Sequence, residues 1–140
     1  MKTVIFDTNV LLDLFVFNDF RVIHLKQALL DQKIDALANP TTLEEFADVI
    51  ARPLFALEPD TQKTIFQQWK SHARILEDHS LLKAPWECRD SDDQIFLDLA
   101  FTAKPCILIS KDNEVLKLAS KAAPAGVLIT ADYNAIDSDL

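Results

Sequence analysis

The first residues of the chain combine a short hydrophobic strand with an acidic residue at its end, and this pairing constrains the fold most. The β-branched run at residues 3–5 predicts a buried strand, which stops being hydrophobic at Asp7. The apolar run that follows, up to Phe17, is long enough to form a helix. Ligands bind at the strand ends of open parallel α/β sheets, which makes Asp7 a candidate site residue. A simpler interpretation is that Asp7, Thr8 and Asn9 only cap the helix, a role that suits them chemically.

The rest of the chain alternates between strand-like and helix-like hydrophobic patterns. Apolar spacing predicts helices over residues 9–17, 20–31, 40–52, 60–77, 91–103 and 112–119, and strands over 33–38, 106–109 and 126–129. Residues 79–89 are expected to be irregular. This alternation predicts an α/β fold in which a parallel sheet carries helices on both faces.

Composition excludes several classes of function. A chain of 140 residues suits a single domain, 1–140, although we expect residues 131–140 to form a loosely ordered tail. Its single glycine leaves no glycine-rich phosphate loop. The net charge of −8 argues against broad binding to phosphate backbones. Cys88 and Cys106 match no zinc or disulfide pattern. The sequence also shows no signal peptide and no membrane-spanning run. Together these features predict a cytoplasmic protein whose two cysteines are reduced thiols.

Acidic residues recur where predicted strands end and predicted helices begin. The candidates, in chain order, are Asp7, Glu44, Glu45, Asp90, Asp92, Asp93 and Asp112. Asp112 follows the strand at 106–109 as Asp7 follows the first strand. Because parallel strands end at one edge of a sheet, both should emerge there, and the first turns of returning helices begin at the same edge.

A cluster of carboxylates at one edge has a definite chemical consequence. Without partners, such groups repel each other and their pKa values rise. A divalent cation removes this conflict, and ligands that are all oxygen suit Mg²⁺ or Mn²⁺. Such a metal activates a bound water and neutralises charge on a transferring phosphoryl group. The residues therefore predict metal-dependent hydrolysis of phosphodiester bonds.

Four motifs in order resemble the PIN-domain family, in particular its bacterial branch of toxins from toxin–antitoxin pairs. They are Ile5-Phe-Asp-Thr-Asn9, Glu45-Phe-Ala-Asp-Val-Ile-Ala-Arg-Pro53, Cys88-Arg-Asp-Ser-Asp-Asp93 with the helix after it, and Leu108-Ile-Ser-Lys-Asp112. The resemblance runs from Val4 to about Thr130. Two residues depart from the usual pattern: Lys111 replaces a glycine and Ser91 a proline. The segment from Ala131 onward matches poorly.

This resemblance implies a PIN-like sheet of four to five parallel strands and an Mg²⁺- or Mn²⁺-dependent ribonuclease. The implied catalytic and metal-binding residues are Asp7, Glu45, Asp93 and Asp112, with Asn9, Asp90 and Ser110 as auxiliary residues. The implied partners are an RNA substrate, a protein antitoxin and a second copy of the chain in a homodimer, with no membrane.

Several assignments leave alternatives open. Asp93 is preferred to Asp90 and Asp92 because it heads the inward side of its helix. Here Ser91 is the predicted cap, and acids in a first turn also favour the helix dipole regardless of function. Glu45 is preferred to Glu44 on the motif, and we expect Glu44 to form a capping box with Thr41.

The basic and aromatic residues allow two interpretations as well. Lys111, Arg89 and Arg52 could line an RNA groove, which would offset the acidic surface. Trp69 and Trp86 could stack on bases, although the spacing around Trp69 favours a core position.

Two other functions compete with the ribonuclease. A phosphatase of the haloacid dehalogenase type also places an Asp after its first strand, but it needs a second Asp where this chain has Asn9. A non-catalytic PIN scaffold that only binds or regulates is the other alternative. It is disfavoured because all four acids are present.

Overall fold

A single parallel sheet organises the fold. The structure is a computed structural model and describes residues 1–137. The five strands are β1 (Lys2–Phe6), β2 (Ile34–Ala38), β3 (Ala73–Ile75), β4 (Cys106–Ile109) and β5 (Val127–Thr130). They lie in the order β3-β2-β1-β4-β5, and every pairing is parallel. The predicted α/β fold with four to five strands is therefore confirmed, with five.

Within residues 1–137, seven α-helices connect and cover the strands. They are α1 (Thr8–Phe15), α2 (Ile23–Leu30), α3 (Pro40–Ile50), α4 (Pro59–His72), α5 (Gln94–Ala103), α6 (Asn113–Leu116) and α7 (Ala119–Ala122). Short 3₁₀ turns precede α2 and α5, where the sequence predicted continuous helix. Among residues 1–137, no helix has both the length and the apolar character needed to cross a membrane.

Alternation along the strands sends successive side chains to opposite faces of the sheet. In β1, Val4 and Phe6 pack with residues of α1 to α4 in one core cluster. Ile5, between them, packs with residues of α5 to α7 in a second cluster. β4 repeats this division, with Ile107 on the first face and Leu108 on the second. Helices therefore cover both faces, as predicted.

The edge strand β3 was missed because residues 60–77 were predicted as one helix. In the structure α4 ends at His72, and Ala73–Ile75 pairs in parallel with β2. Arg74 of β3 also donates two hydrogen bonds to the Asp35 carboxylate of β2, at 3.1 and 2.7 Å. Pairing with a neighbouring strand outweighs the helical pattern of the sequence here.

Two predicted helix caps were assigned to the wrong residues. Asn39, not Thr41, caps α3: its side-chain oxygen accepts from the backbone N–H of Thr42, whose hydroxyl accepts from the backbone N–H of Asn39. Glu44 therefore does not close a capping box with Thr41, which instead donates to Asp78. Asp90, not Ser91, caps the turn before α5.

Both tryptophans belong to the core. Trp69 is 2% exposed and packs against Phe6, which confirms the core position that its spacing favoured. Trp86 is also buried, edge-on to Phe101, with ring centroids 5.4 Å apart. Neither indole face is available to stack on a base, so the stacking hypothesis was wrong.

The predicted C-terminal tail divides into two parts. Within residues 131–137, Tyr133 and Ala135 are buried and belong to the core cluster on the α1 face. That part therefore packs against the fold, contrary to the expectation of loose order. Residues 138–140 lie outside the described part of the chain.

Candidate active site

Asp7 lies where the sheet's two central strands end. It follows β1, and its backbone N–H donates to the carbonyl of Ile109 at the end of β4, at 3.0 Å. The side chain is 4% exposed. Burial is the main cause that raises its pKa, and the nearby Asp112 carboxylate adds to this, while the Ser110 hydroxyl opposes it. Asp7 is the N-cap residue of α1, but its side chain makes no capping hydrogen bond to that helix, and its role as a site residue stays a prediction.

Ser110 connects Asp7 to the neighbouring strand end. Its hydroxyl is fully buried and donates to the Asp7 carboxylate at 2.6 Å. The same oxygen accepts from the backbone N–H of Asp112, at 3.0 Å. One side chain thus fixes both the orientation of Asp7 and the start of the segment that carries Asp112.

Three carboxylates form the tightest group at this edge. One oxygen from each of Asp90, Asp93 and Asp112 lies within 4.8 Å of the other two. Asp93 is buried, Asp112 is half-buried and Asp90 is exposed. The sequence predicts Asp90 only as an auxiliary residue. In the structure one of its carboxylate oxygens lies within 4.8 Å of those of Asp93 and Asp112. Asp92, the other competitor of Asp93, is exposed and lies outside the group.

The carboxyls of Asp93 and Asp112 interact closely, and hydrogen bonding between them shifts their pKa values in opposite directions. Burial, followed by that bond, raises the pKa of Asp93 far above its usual value. The same bond holds the pKa of Asp112 below its usual value. The Asp7 carboxylate adds a further repulsion that raises the pKa of Asp93. The strand-end acids therefore form one electrostatic unit, in which ionisation of every member at once is unfavourable.

Glu45 lies on α3, close enough to Asp7 for the charge of that acid to act on it. It is half-buried, whereas Glu44 is exposed. Burial raises the pKa of Glu45, and the charges of Asp7 and Asp92 raise it further. The Thr8 hydroxyl opposes this shift. The preference for Glu45 over Glu44 stays a prediction, and the burial and the field of Asp7 both favour it.

The donor set fits a divalent cation. Asp93 has a carboxylate oxygen, Oδ2, that is buried without a hydrogen-bond partner among residues 1–137. An orphaned buried carboxylate oxygen is costly unless a cation or donor satisfies it. It stands among further carboxylates whose charges raise the pKa of Asp93, and all of the donors are oxygens. These are the ligands that Mg²⁺ and Mn²⁺ prefer.

Asn9 and Lys111 support the site through contacts with neighbouring residues. The Asn9 side-chain oxygen accepts from the backbone N–H of Lys111, at 3.3 Å. The Lys111 ammonium lies 2.7 Å from the Asp13 carboxylate, so Lys111 is not a free cation at the rim of the groove. Arg52 and Arg89 are exposed and form no ion pair within residues 1–137, and their role at the rim of a groove stays a prediction.

Sequence reasoning missed Asp13 and Tyr133. Asp13 is 3% exposed and accepts from both Lys111 and the Tyr133 hydroxyl. One signal could have revealed it, because it is the single charged residue of α1, most of whose other residues are apolar. Tyr133 carried no such signal, since it follows the segment that the motifs cover.

Comparison with protein families identifies the class. The model of the PIN domain matches residues 3–114, which include all of the acids described above. The chain therefore belongs to the PIN-domain family, as its motifs indicated, and this is a family of nuclease type. Comparisons with curated proteins and with solved structures gave no significant match.

Proposed function

We propose that the protein is a Mg²⁺- or Mn²⁺-dependent ribonuclease that hydrolyses phosphodiester bonds in RNA. Asp7, Glu45, Asp93 and Asp112 are its proposed metal-binding and catalytic residues, with Asp90 as an additional ligand. One observation carries the proposal: the orphaned oxygen of buried Asp93 stands within a group of carboxylates at the end of the central strands. Together with membership of the PIN-domain family, it favours an enzyme over a scaffold that only binds.

The protein's own residues have three tasks in this reaction. Ser110 holds the Asp7 carboxylate in one orientation through its 2.6 Å hydrogen bond. The backbone N–H of Glu114 holds Asp112 by donating to its Oδ1, at 2.9 Å. Asp93, whose pKa is raised, would give up its proton when a cation binds, since metal ligation requires deprotonated carboxylates. A bound divalent cation supplies an activated water and neutralises charge on the phosphate.

The acidic surface limits how RNA binds. A net charge of −8 gives little general attraction to phosphate, so binding depends on local contacts. Arg52 and Arg89 are the exposed cations proposed for this role. Arg52 lies close enough to Glu45 for its charge to lower the pKa of that acid. Charge reversal at both arginines is expected to weaken cleavage. Unchanged cleavage would contradict this part of the proposal.

We assign the biological role on the motif resemblance: a cytoplasmic toxin that forms a homodimer and is held inactive by a protein antitoxin. Induced expression is expected to stop cell growth, and the Asp7→Asn variant to relieve the arrest. Co-expression of the product of an adjacent gene is expected to relieve it as well. Normal growth during strong expression of the soluble wild type would refute the toxin role while leaving the nuclease intact.

The decisive experiment measures metal binding and catalysis together. Mn²⁺ binding is measured by calorimetry on the wild type, Asp7→Asn and the control Asp48→Asn, which removes an exposed acid of α3. Cleavage of a labelled RNA is followed in the same samples. We expect both activities in the wild type and the control, and loss of both in Asp7→Asn. A wild type that binds no metal would overturn the mechanism.

A further inference from the structure

The segment that carries Ser110 and Asp112 is attached to α1 at two points, both through the residue between them. The Lys111 backbone N–H donates to Asn9, and the Lys111 ammonium donates to Asp13 at 2.7 Å. Asn9 and Asp13 stand four residues apart on α1, and so on the same side of the helix. Lys111 therefore lies along one face of α1 and ties the β4–α6 segment to it.

Asp13 is the centre of this attachment. Its side chain is 4% exposed, whereas that of Lys111 is 39% exposed. The Tyr133 hydroxyl donates to the same carboxylate oxygen as Lys111. A carboxylate buried this deeply is costly unless it is paired and hydrogen-bonded, and both conditions are met here. Two distant parts of the chain thus converge on one buried acid of α1.

The position of the Lys111 ammonium argues against a direct role with substrate. It is committed to Asp13, which lies a helical turn beyond Asn9 and away from the strand end where Asp7 sits. Lys111 is also adjacent in sequence to Ser110, whose hydroxyl connects Asp7 with the backbone of Asp112. A shift of Lys111 would displace both of these contacts.

We propose that Asp13 and Lys111 are a positioning pair that sets the divalent-metal affinity of the site by holding residues 110–112 against α1. The inference rests on the proposed metal-binding function and deepens it. Residues that orient metal ligands through hydrogen bonds affect metal affinity by about 10- to 100-fold when changed. We therefore expect the Kd for Mn²⁺ to rise about 10-fold when the pair is broken.

The test uses Mn²⁺ calorimetry on the wild type and three variants: Lys111→Met, Lys111→Arg and the double variant Asp13→Asn/Lys111→Met. Lys111→Met should weaken Mn²⁺ binding about 10-fold, and Lys111→Arg should restore most of it because arginine keeps the charge and the donors. The double variant removes both charges together, which protects the fold from an unpaired buried acid. It should bind Mn²⁺ no more weakly than Lys111→Met, because the two residues act as one unit.

A matched control separates positioning from a general loss of stability. Arg74→Met breaks the Arg74–Asp35 pair, which has the same 2.7 Å distance but lies at the β2–β3 edge of the sheet. It should leave the Kd for Mn²⁺ unchanged. An equal loss of affinity in Arg74→Met would show that any broken ion pair weakens the site, and would overturn the inference.

The dependence of RNA binding on salt distinguishes positioning from phosphate contact. Binding of a labelled RNA oligonucleotide is measured in EDTA at several salt concentrations. A lysine on phosphate contributes about 0.7 to the slope for a single strand. We expect Lys111→Met to leave this slope unchanged. A lower slope with unchanged Mn²⁺ affinity would make Lys111 a substrate contact and refute the positioning role. If the wild type itself binds no Mn²⁺, the proposed function fails first and this inference fails with it.

Discussion

Replacing Asp93 with asparagine should stabilise the metal-free protein, although it removes a proposed ligand. The nearest oxygens of Asp90, Asp93 and Asp112 lie within 4.8 Å of each other. Two unit charges at 4.8 Å repel by about 3.5 kcal/mol at an effective dielectric constant of about 20, and by about 0.9 kcal/mol in water. Asp90 is exposed and Asp112 half-buried, so solvent screens much of this repulsion. We therefore expect Asp93→Asn to raise the free energy of unfolding by about 1–2 kcal/mol in EDTA at pH 8.5.

The sign of the pH dependence follows from the raised pKa of Asp93. Its environment raises the pKa from 3.8 to about 8, so between these values the folded protein keeps a proton that the unfolded chain has lost. The stability of the metal-free protein therefore falls as pH rises from about 4 to about 8. Asp112, with its lowered pKa, acts in the opposite direction, but only as pH falls below the usual range of a carboxyl.

Urea unfolding in EDTA, at pH 5 and at pH 8.5, tests this prediction. Asp93→Asn should exceed the wild type in stability at pH 8.5 and match it more closely at pH 5, where Asp93 is already protonated. Asp92→Asn changes an exposed neighbour and should do little at either pH. If Asp93→Asn proves less stable than the wild type at pH 8.5, the repulsion argument is refuted. Addition of Mn²⁺ should stabilise the wild type more than Asp93→Asn, because a ligand of the folded state stabilises according to its affinity.

Three further changes test the support of the site and the core. Ser110→Ala removes the hydroxyl between Asp7 and Asp112, and calorimetry should show Mn²⁺ binding weakened by about 10-fold; unchanged affinity would show that the backbone alone positions these acids. Asn39→Ala removes the α3 cap and should lower the free energy of unfolding in urea by about 1 kcal/mol; no change would mean that water replaces the cap. Trp69→Ala should cost about 3–5 kcal/mol by the same measurement, because the indole fills the α1-side core. A cost below about 1 kcal/mol would contradict that packing.

The sequence predicted the part of the site that depends on strand ends. Asp7 and Asp112 each follow a hydrophobic strand, and parallel strands end at one edge whatever their order in the sheet. Sequence ranked Asp93 above Asp90, and Asp93 is the more buried of the two, but it could not show that Asp90 lies within 4.8 Å of Asp93 and Asp112, because that depends on how the turn before α5 packs. It also missed β3, whose three residues form a strand only because β2 lies beside them.

The residues that hold the site in place were also harder to predict, because their contacts depend on tertiary structure. The pair between Asp13 and Lys111 joins residues 98 positions apart in the chain. No local sequence pattern predicts such a pair. Without the structure, Lys111 is interpreted as a cation that could contact the substrate. A charged residue within an apolar helix was the available signal, and it indicates a buried partner without saying which.

The proposed metal-binding acids come from both helical layers, and this affects how the protein unfolds locally. Glu45 comes from a helix of the α1–α4 layer, Asp93 immediately precedes α5 of the opposite layer, and Asp7 and Asp112 come from the strand ends between them. If these residues share a cation, as proposed, it would act as a reversible cross-link that closes loops spanning most of the sequence. Partial opening of either layer would then break the same link. Amide hydrogen exchange in α3 and α5 should therefore slow together as Mn²⁺ is added, which makes the two layers a single cooperative unit in the loaded protein.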